Sequence, residues 1–308
     1  MDFNLIKLVI TVNTVNGASL VKWLHKSGSG LSAICKSNVC YRPVRSCESC
    51  SNRETCAWYL VFGQKLTVDP SELKRHQKPP FPFVFSFPAF AEPCEKSVLL
   101  DCGLVVIGHA IPYLEMLLDG FAELLSGDTC PLQAEVVRVG SCDYQGGVQT
   151  IGNGSCITRP EDLAVMSAYG LLQIHTRECS DLEIRLLSPL RLLENGRHLS
   201  RFDFSRFARS VMRRVSSMAY YYAECEFDCD FKALSIQVDQ VICVEDHFCH
   251  NTGGIRKING INGHGRFIGN FGGIMPFLLL GTYVHVGKGA TFGMGQYEVA
   301  FDKTMIDT

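Results

Sequence analysis

The chain has 308 residues, a formal net charge of −2, 46% hydrophobic and 19% charged residues. That is length enough for two ordinary domains with buried cores, and too apolar a balance for a disordered protein. Asp101, His109, Glu115 and Asp119 interrupt the longest apolar candidate, so no membrane span is expected, and the slight acidity excludes a uniformly basic surface while leaving room for a basic groove.

Residues 4–12 alternate as a strand does. The opening MDFNLIKLVITV carries Asp2 and Lys7 and no small-residue cleavage site, so it reads as that strand and not as a signal peptide. Residues 17–26 (GASLVKWLHK) read as a short helix bearing Lys22, His25 and Lys26. A cysteine-rich insert then occupies residues 35–60. Its pattern is Cys40-x6-Cys47-x2-Cys50-x5-Cys56, with Cys35 just upstream. Fifteen cysteines without a secretory signal point to thiols and metal ligands of a reducing, cytoplasmic setting. Four closely spaced thiolates suit tetrahedral zinc in a structural role, because a filled thiolate set leaves no open position for catalysis. An iron–sulfur cluster takes similar ligands, Cys35 is a substitute ligand, and the plain alternative is a loop of reduced cysteines.

Residues 69–82 form a proline-punctuated basic loop. Strands are expected at 83–87 and 98–110, a helix at 112–125 with Pro112 in its first turn, and a strand at 132–139. The order β-α-β-β-α-β over residues 1–155 is the ferredoxin-like, or RRM-like, plan. The second half, residues 180–308, repeats it. Residues 182–187 are a strand, and 203–222 a helix with Asp203 as N-cap. On that helix Phe204, Phe207, Val211, Val215 and Met218 share one side, and Arg206, Arg209 and Arg213 lie nearly opposite. Hairpin-like segments carry Arg256, Lys257 and Arg266. Cys225, Cys229, Cys243, His247, Cys249 and His250 match no metal spacing and read as ordinary core or surface groups. The class is therefore α+β, with two tandem ferredoxin-like domains.

The tail is the densest in information. YVHVGKGATFGMGQY, residues 283–297, sets Gly287, Gly289, Gly293 and Gly295 around Lys288, beside His285. Glycines at this density let backbone N–H groups approach an anion, and lysine adds a point charge for a phosphate. An apolar helix precedes the loop and an alternating strand follows it. A nucleotide-binding loop has the opposite order, which argues against a mononucleotide fold.

This tail resembles the glycine-rich signature of the RAMP superfamily, specifically the CRISPR repeat-processing endoribonucleases. Residues 254–269 (GIRKINGINGHGRFIG) are similar to the family's basic hairpin, and residues 182–193 (LEIRLLSPLRLL) to the first strand of its C-terminal domain. The cysteine run ending in Trp58, Tyr59 and Phe62 resembles its cysteine-bearing branch. The resemblance implies metal-independent cleavage of CRISPR precursor RNA within the repeat. A general base would remove a ribose 2′-hydroxyl proton, leaving a 2′,3′-cyclic phosphate and a 5′-hydroxyl. His25 resembles the histidine of the family's first helix, although VKWLHK departs from the branch's glycine and arginine pattern there. His198 and His285 stand next in line. The implied partners are repeat RNA and other CRISPR effector or adaptation proteins, with RNA contacts from Lys22, Lys26, the Arg206, Arg209 and Arg213 face beside the loop, Arg256, Lys257, Arg266, and the loop residues His285 to Gly295. Two rival readings remain: a non-catalytic guide-RNA-binding subunit, and a zinc-bearing interaction module tethered to another CRISPR enzyme.

Overall fold

A computed structural model describes residues 3–41, 46–68, 78–88, 97–127, 130–194, 196–251 and 258–301. The first domain begins with strand β1 (Asn4–Thr14), then helices α1 (Gly17–Leu24), α2 (Gly28–Val39) and α3 (Ala57–Phe62). Strands β2 (Phe83–Ser86) and β3 (Val98–Ile107), helix α4 (Leu114–Ser126) and strand β4 (Ala134–Cys142) complete the ferredoxin-like unit. Strands β5 (Val148–Asn153) and β6 (Cys156–Ile157) extend its edge, and β7 (Val165–Ser167) pairs with the start of β1. The sheet runs β2-β3-β1-β4-β5-β6, with β1 antiparallel to both neighbours.

Period-two alternation turns Ile6, Leu8, Ile10 and Val12 of β1 toward the helices. There they meet Leu20 and Leu24 of α1 and Leu117, Phe121 and Leu124 of α4. Asn16 caps α1 by accepting from the Ser19 N–H at 3.0 Å. Helix α2 was not legible in the sequence, where GSG argues against a helix. Tertiary packing overrides that propensity: Leu31 and Cys35 bury against α4, where Gly120 leaves room for the Cys35 sulfur.

Helix α5 (Ala168–His175) leads to the second domain. Strand β8 (Asp181–Leu190) is followed by the small pair β9 (Leu193–Glu194) and β10 (Arg197–His198), then helices α6 (Phe204–Ala223) and α7 (Phe231–Asp239). Strands β11 (Ile242–Asp246), β12 (Cys249–Asn251) and β13 (Gly260–Ile268), helix α8 (Met275–Val284) and strand β14 (Tyr297–Phe301) follow. The sheet order β11-β13-β8-β14 repeats the topology of the first domain. Asp203 caps α6 as expected, accepting from the Arg206 N–H at 2.9 Å, and the anticipated apolar side is buried. Helix α7, capped by Asp230, replaces part of the region expected to be hairpin.

The core of the second domain reaches into the first. Phe3, Leu5, Val84, Val105 and Ile107 join one cluster with Val211, Val215, Phe277 and Leu278 of α6 and α8. Burying this surface ties the two domains together through a shared apolar core. No helix among the described residues is long and apolar enough to cross a membrane.

Candidate active site

The loop between α8 and β14 lies against the first domain. The Phe85 N–H donates to the Thr291 carbonyl at 2.8 Å, and Phe292 forms a parallel bridge with Phe85. Gly287, Gly289, Gly293 and Gly295 all have positive φ, between 63° and 88°. The N–H groups of Lys288, Ala290, Phe292, Met294 and Gly295 donate to protein carbonyls, including those of Arg191 and Pro189. The expectation of a loop with its N–H groups turned toward one anion is thus corrected. These glycines build a hydrogen-bonded, compact loop, and the exposed Lys288 side chain is what it offers outward.

His25 follows the last residue of α1 and touches this loop. Its Nδ1 lies 2.8 Å from the Phe292 carbonyl oxygen. A carbonyl only accepts, so Nδ1 carries the proton and Nε2 is left with the basic lone pair. The ring meets Phe87 edge-on, with centroids 5.2 Å apart. A Cβ at Gly293 would lie 3.0 Å from His25 Cε1 and 2.6 Å from the Phe87 ring, so only glycine admits this approach. Burial lowers the His25 pKa from its ordinary 6.5, the Phe292 carbonyl opposes that, and the Arg191 charge lowers it further. The net effect favours the neutral imidazole.

Basic residues lie on the elements that meet at His25. Lys22 sits half-buried on the last turn of α1, and Lys26 and Lys288 are exposed. Among the described residues none of the three has a carboxylate partner. Arg191, just past β8, contributes charge toward His25, and its Nε donates to the Asn259 carbonyl at 2.6 Å. Arg191 was missed in the sequence. The only signal was its place in LEIRLLSPLRLL, since nothing local says that this strand end faces α1.

A neutral imidazole beside a glycine-rich loop on paired ferredoxin-like domains narrows the comparisons. Residues 184–297 match the family profile of the CRISPR-associated endoribonuclease Cas6. That match lies within the second domain and spans most of it. Residues 29–162 match a separate profile, described as an N-terminal domain. No curated protein sequence matches the chain. Its fold is similar to that of Thermus thermophilus Cas6, at 11% identity and TM-score 0.53, covering 97% of this chain and 99% of that one. A Cas6 product complex is similar at 15% identity and TM-score 0.55, covering 97% and 100%. A partial Cas6-RT-Cas1–Cas2 complex is similar at 12% identity and TM-score 0.55. There the match covers 98% of this chain and 46% of the other, so this chain spans about half of that longer one.

Within the second domain, the other expected contacts are largely met by protein groups. Arg206 pairs with Glu194, and Arg209 with Asp239 at 2.5 Å. Arg266 pairs with Asp181 at 2.6 Å and with Glu245 at 3.3 Å. Arg209 and the exposed Arg213 line a groove between α6 and α7 that includes no residue of the glycine-rich loop. The charge of this face is therefore shared with carboxylates, Arg206 toward β9 and Arg209 toward α7. Arg256 and Lys257 lie outside the described residues. His198 is exposed on β10. His285 is 2% exposed, and burial pushes its pKa down to about 3, so it faces no RNA in this fold.

The cysteines divide as well. Cys35 is core: it is fully buried, donates to the Met116 carbonyl at 3.5 Å, and burial raises its pKa to about 12. That removes it as a substitute ligand. Cys40, Cys47, Cys50 and Cys56 are partly buried, on a segment whose turns at Cys47–Ser49 and Arg53–Thr55 bury no side chain. Their donor chemistry suits a thiolate metal. In this fold no group of three or more His, Cys, Asp or Glu converges among the described residues. Residues 42–45, which join Cys40 to Cys47, lie outside them. The later cysteines and histidines of residues 225–250 are likewise ungrouped among the described residues.

Proposed function

We propose that this chain cuts CRISPR precursor RNA within its repeat, and that His25 is the general base. The observation that carries the reading is the fixed tautomer of His25. With Nδ1–H spent on the Phe292 carbonyl, the Nε2 lone pair takes the proton of a ribose 2′-hydroxyl. The 2′-oxygen attacks the adjacent phosphorus in line, the P–O5′ bond breaks, and the departing oxygen takes up a proton. The products are a 2′,3′-cyclic phosphate and a 5′-hydroxyl. Arg191 and Lys22 stabilise the negative charge that develops on the phosphoryl oxygens, while Lys26 and Lys288 hold the flanking backbone. Sequence is read at unstacked bases, because the A-form major groove is too narrow for side chains.

Repeat RNA is the proposed partner, and the likeness to a Cas6-RT-Cas1–Cas2 complex supports adaptation proteins as a second. The route needs no catalytic metal. The test is incubation of the purified protein with its own repeat RNA in excess chelator. Cleavage is expected for all-ribose RNA and none for RNA carrying one 2′-deoxy nucleotide at the cut. Tight binding without any cleavage would overturn this reading in favour of a non-catalytic guide-RNA-binding subunit.

A further inference from the structure

A cavity of about 590 Å³ between the two domains includes no residue of the glycine-rich loop, and the proposed cleavage does not use it. The first domain contributes Tyr59 of α3, Gln64 just past it and His109 just past β3. The second contributes Tyr220, Tyr221 and Tyr222 at the end of α6. Neighbouring rings are inclined and not stacked flat. Tyr220 and Tyr221 stand at 83° with centroids 5.1 Å apart, and His109 and Tyr222 at 59° with centroids 5.6 Å apart. The lining is braced across the domains: the Tyr222 hydroxyl donates to the Pro80 carbonyl and the Gln64 amide to the Pro79 carbonyl, each at 2.5 Å.

Backbone strain is concentrated here. Among the described residues three other than glycine have positive φ, and two of them, Gln64 at 45° and Glu224 at 50°, line this cavity. Glu224 follows α6 in the left-handed conformation, where a helix usually ends on glycine. A side chain at that position costs stability, and strain of this kind clusters at ligand clamps. The charge of the lining points the same way. Lys65, the one cation among the described lining residues, is paired with Glu54 at 3.2 Å. Glu224 and Glu226 are exposed and have no cationic partner among the described residues. Burial lowers the His109 pKa from its ordinary 6.5, against the raising pull of Glu224, so the ring adds no fixed positive charge at neutral pH.

We propose that this cavity docks the guanidinium or ammonium group of an arginine or lysine side chain carried by a partner protein. Aromatic groups attract a cation, and a carboxylate at the rim accepts a charge-assisted hydrogen bond from it. A phosphate would meet Glu224 and Glu226 and no free cation, which disfavours RNA at this place. Leu66 and Val68 of the lining are 48% and 92% exposed. Exposed apolar groups beside tyrosines fit a cation borne on an apolar protein segment better than a free amine. The site stands independently of the cleavage reading.

The experiment is NMR titration of the full chain, carrying carbon-13-labelled tyrosine rings, with N-acetylarginine amide and with its neutral citrulline analogue. The arginine probe should shift a subset of tyrosine signals saturably, and the citrulline probe should not. Glu224→Gly should weaken the arginine probe by about tenfold or more, the scale of one lost hydrogen bond to a charged group. Its melting temperature should hold or rise, because glycine relieves the strain, so the loss of binding cannot be a loss of fold. Glu226→Gln, on the exposed rim, should weaken the probe in the same direction. Equal response to the two probes, or wild-type affinity in Glu224→Gly, would overturn the proposal. Displacement of the probe by repeat RNA would give the cavity to nucleic acid instead, and saturable binding of spermidine without binding of the arginine probe would give it to a free amine. Either result would also overturn it.

Discussion

Two basic regions of this chain look alike in sequence and differ in the fold. On α6, Arg206 and Arg209 face Glu194 and Asp239, so their charge is largely met within the protein. Around His25, Lys22, Lys26 and Lys288 have no carboxylate partner among the described residues, and Arg191 is bonded to a neutral carbonyl. A backbone phosphate gains more from the second set, because approaching the first means competing with carboxylates already in place. Clustering along the chain shows where basic residues are. Which of them remain available is decided by acidic residues far away in sequence.

The largest effect expected outside the base itself comes from Gly293. Alanine there must adopt φ 79° and push against Phe87 and His25, so Gly293→Ala should slow cleavage by about 10- to 100-fold, from roughly 1–3 kcal/mol of strain. An unchanged rate would show that the close approach of loop and histidine is not needed. Lys288→Ala should weaken RNA binding and reduce the slope of log affinity against log salt by about 0.7, the value for one lost single-strand phosphate contact. An unaltered slope would put Lys288 outside the RNA path. The double variant Arg206→Ala, Arg209→Ala is the counterpart, and should leave that slope within error of wild type. A slope change as large as that of Lys288→Ala would collapse the distinction between the two regions.

The smallest effect concerns the cysteines. We propose that Cys40, Cys47, Cys50 and Cys56 close on one structural metal, on the strength of their spacing and of turns at Cys47–Ser49 and Arg53–Thr55 that bury no side chain. Elemental analysis of protein purified without added metal should find about one zinc per chain, with catalysis unaffected by chelators that leave the fold intact. A metal content near zero would keep the thiols as the separate groups that the fold describes.

The architecture was legible because it is written in local periods. Alternation in residues 4–12 and the apolar side of the helix capped by Asp203 are visible along the chain, and both recur in the fold. The exceptions are instructive. Helix α2 is formed by packing on α4 and not by its own propensity, and α7 was hidden in a segment of mixed composition. In the site, His25 and the glycines could be singled out from sequence, but their meeting could not. The contact of Phe292 with His25 spans 267 positions, and no periodicity carries information over that distance. Arg191 was passed over for the same reason. Its role depends on what the other domain brings to it.

The central claim is that His25 is the base, kept neutral by burial and the Arg191 charge and fixed in its tautomer by the Phe292 carbonyl. It is tested most directly by single-turnover cleavage of repeat RNA across pH, with His25→Ala beside the wild type. The base acts when unprotonated, so the wild-type rate should rise as pH increases through a value below the ordinary 6.5 and be level by neutral pH. His25→Ala should bind RNA nearly as well and cut about 10²- to 10⁴-fold more slowly, with that rise abolished. A His25→Ala variant that cuts at the wild-type rate with the same pH profile would contradict the account.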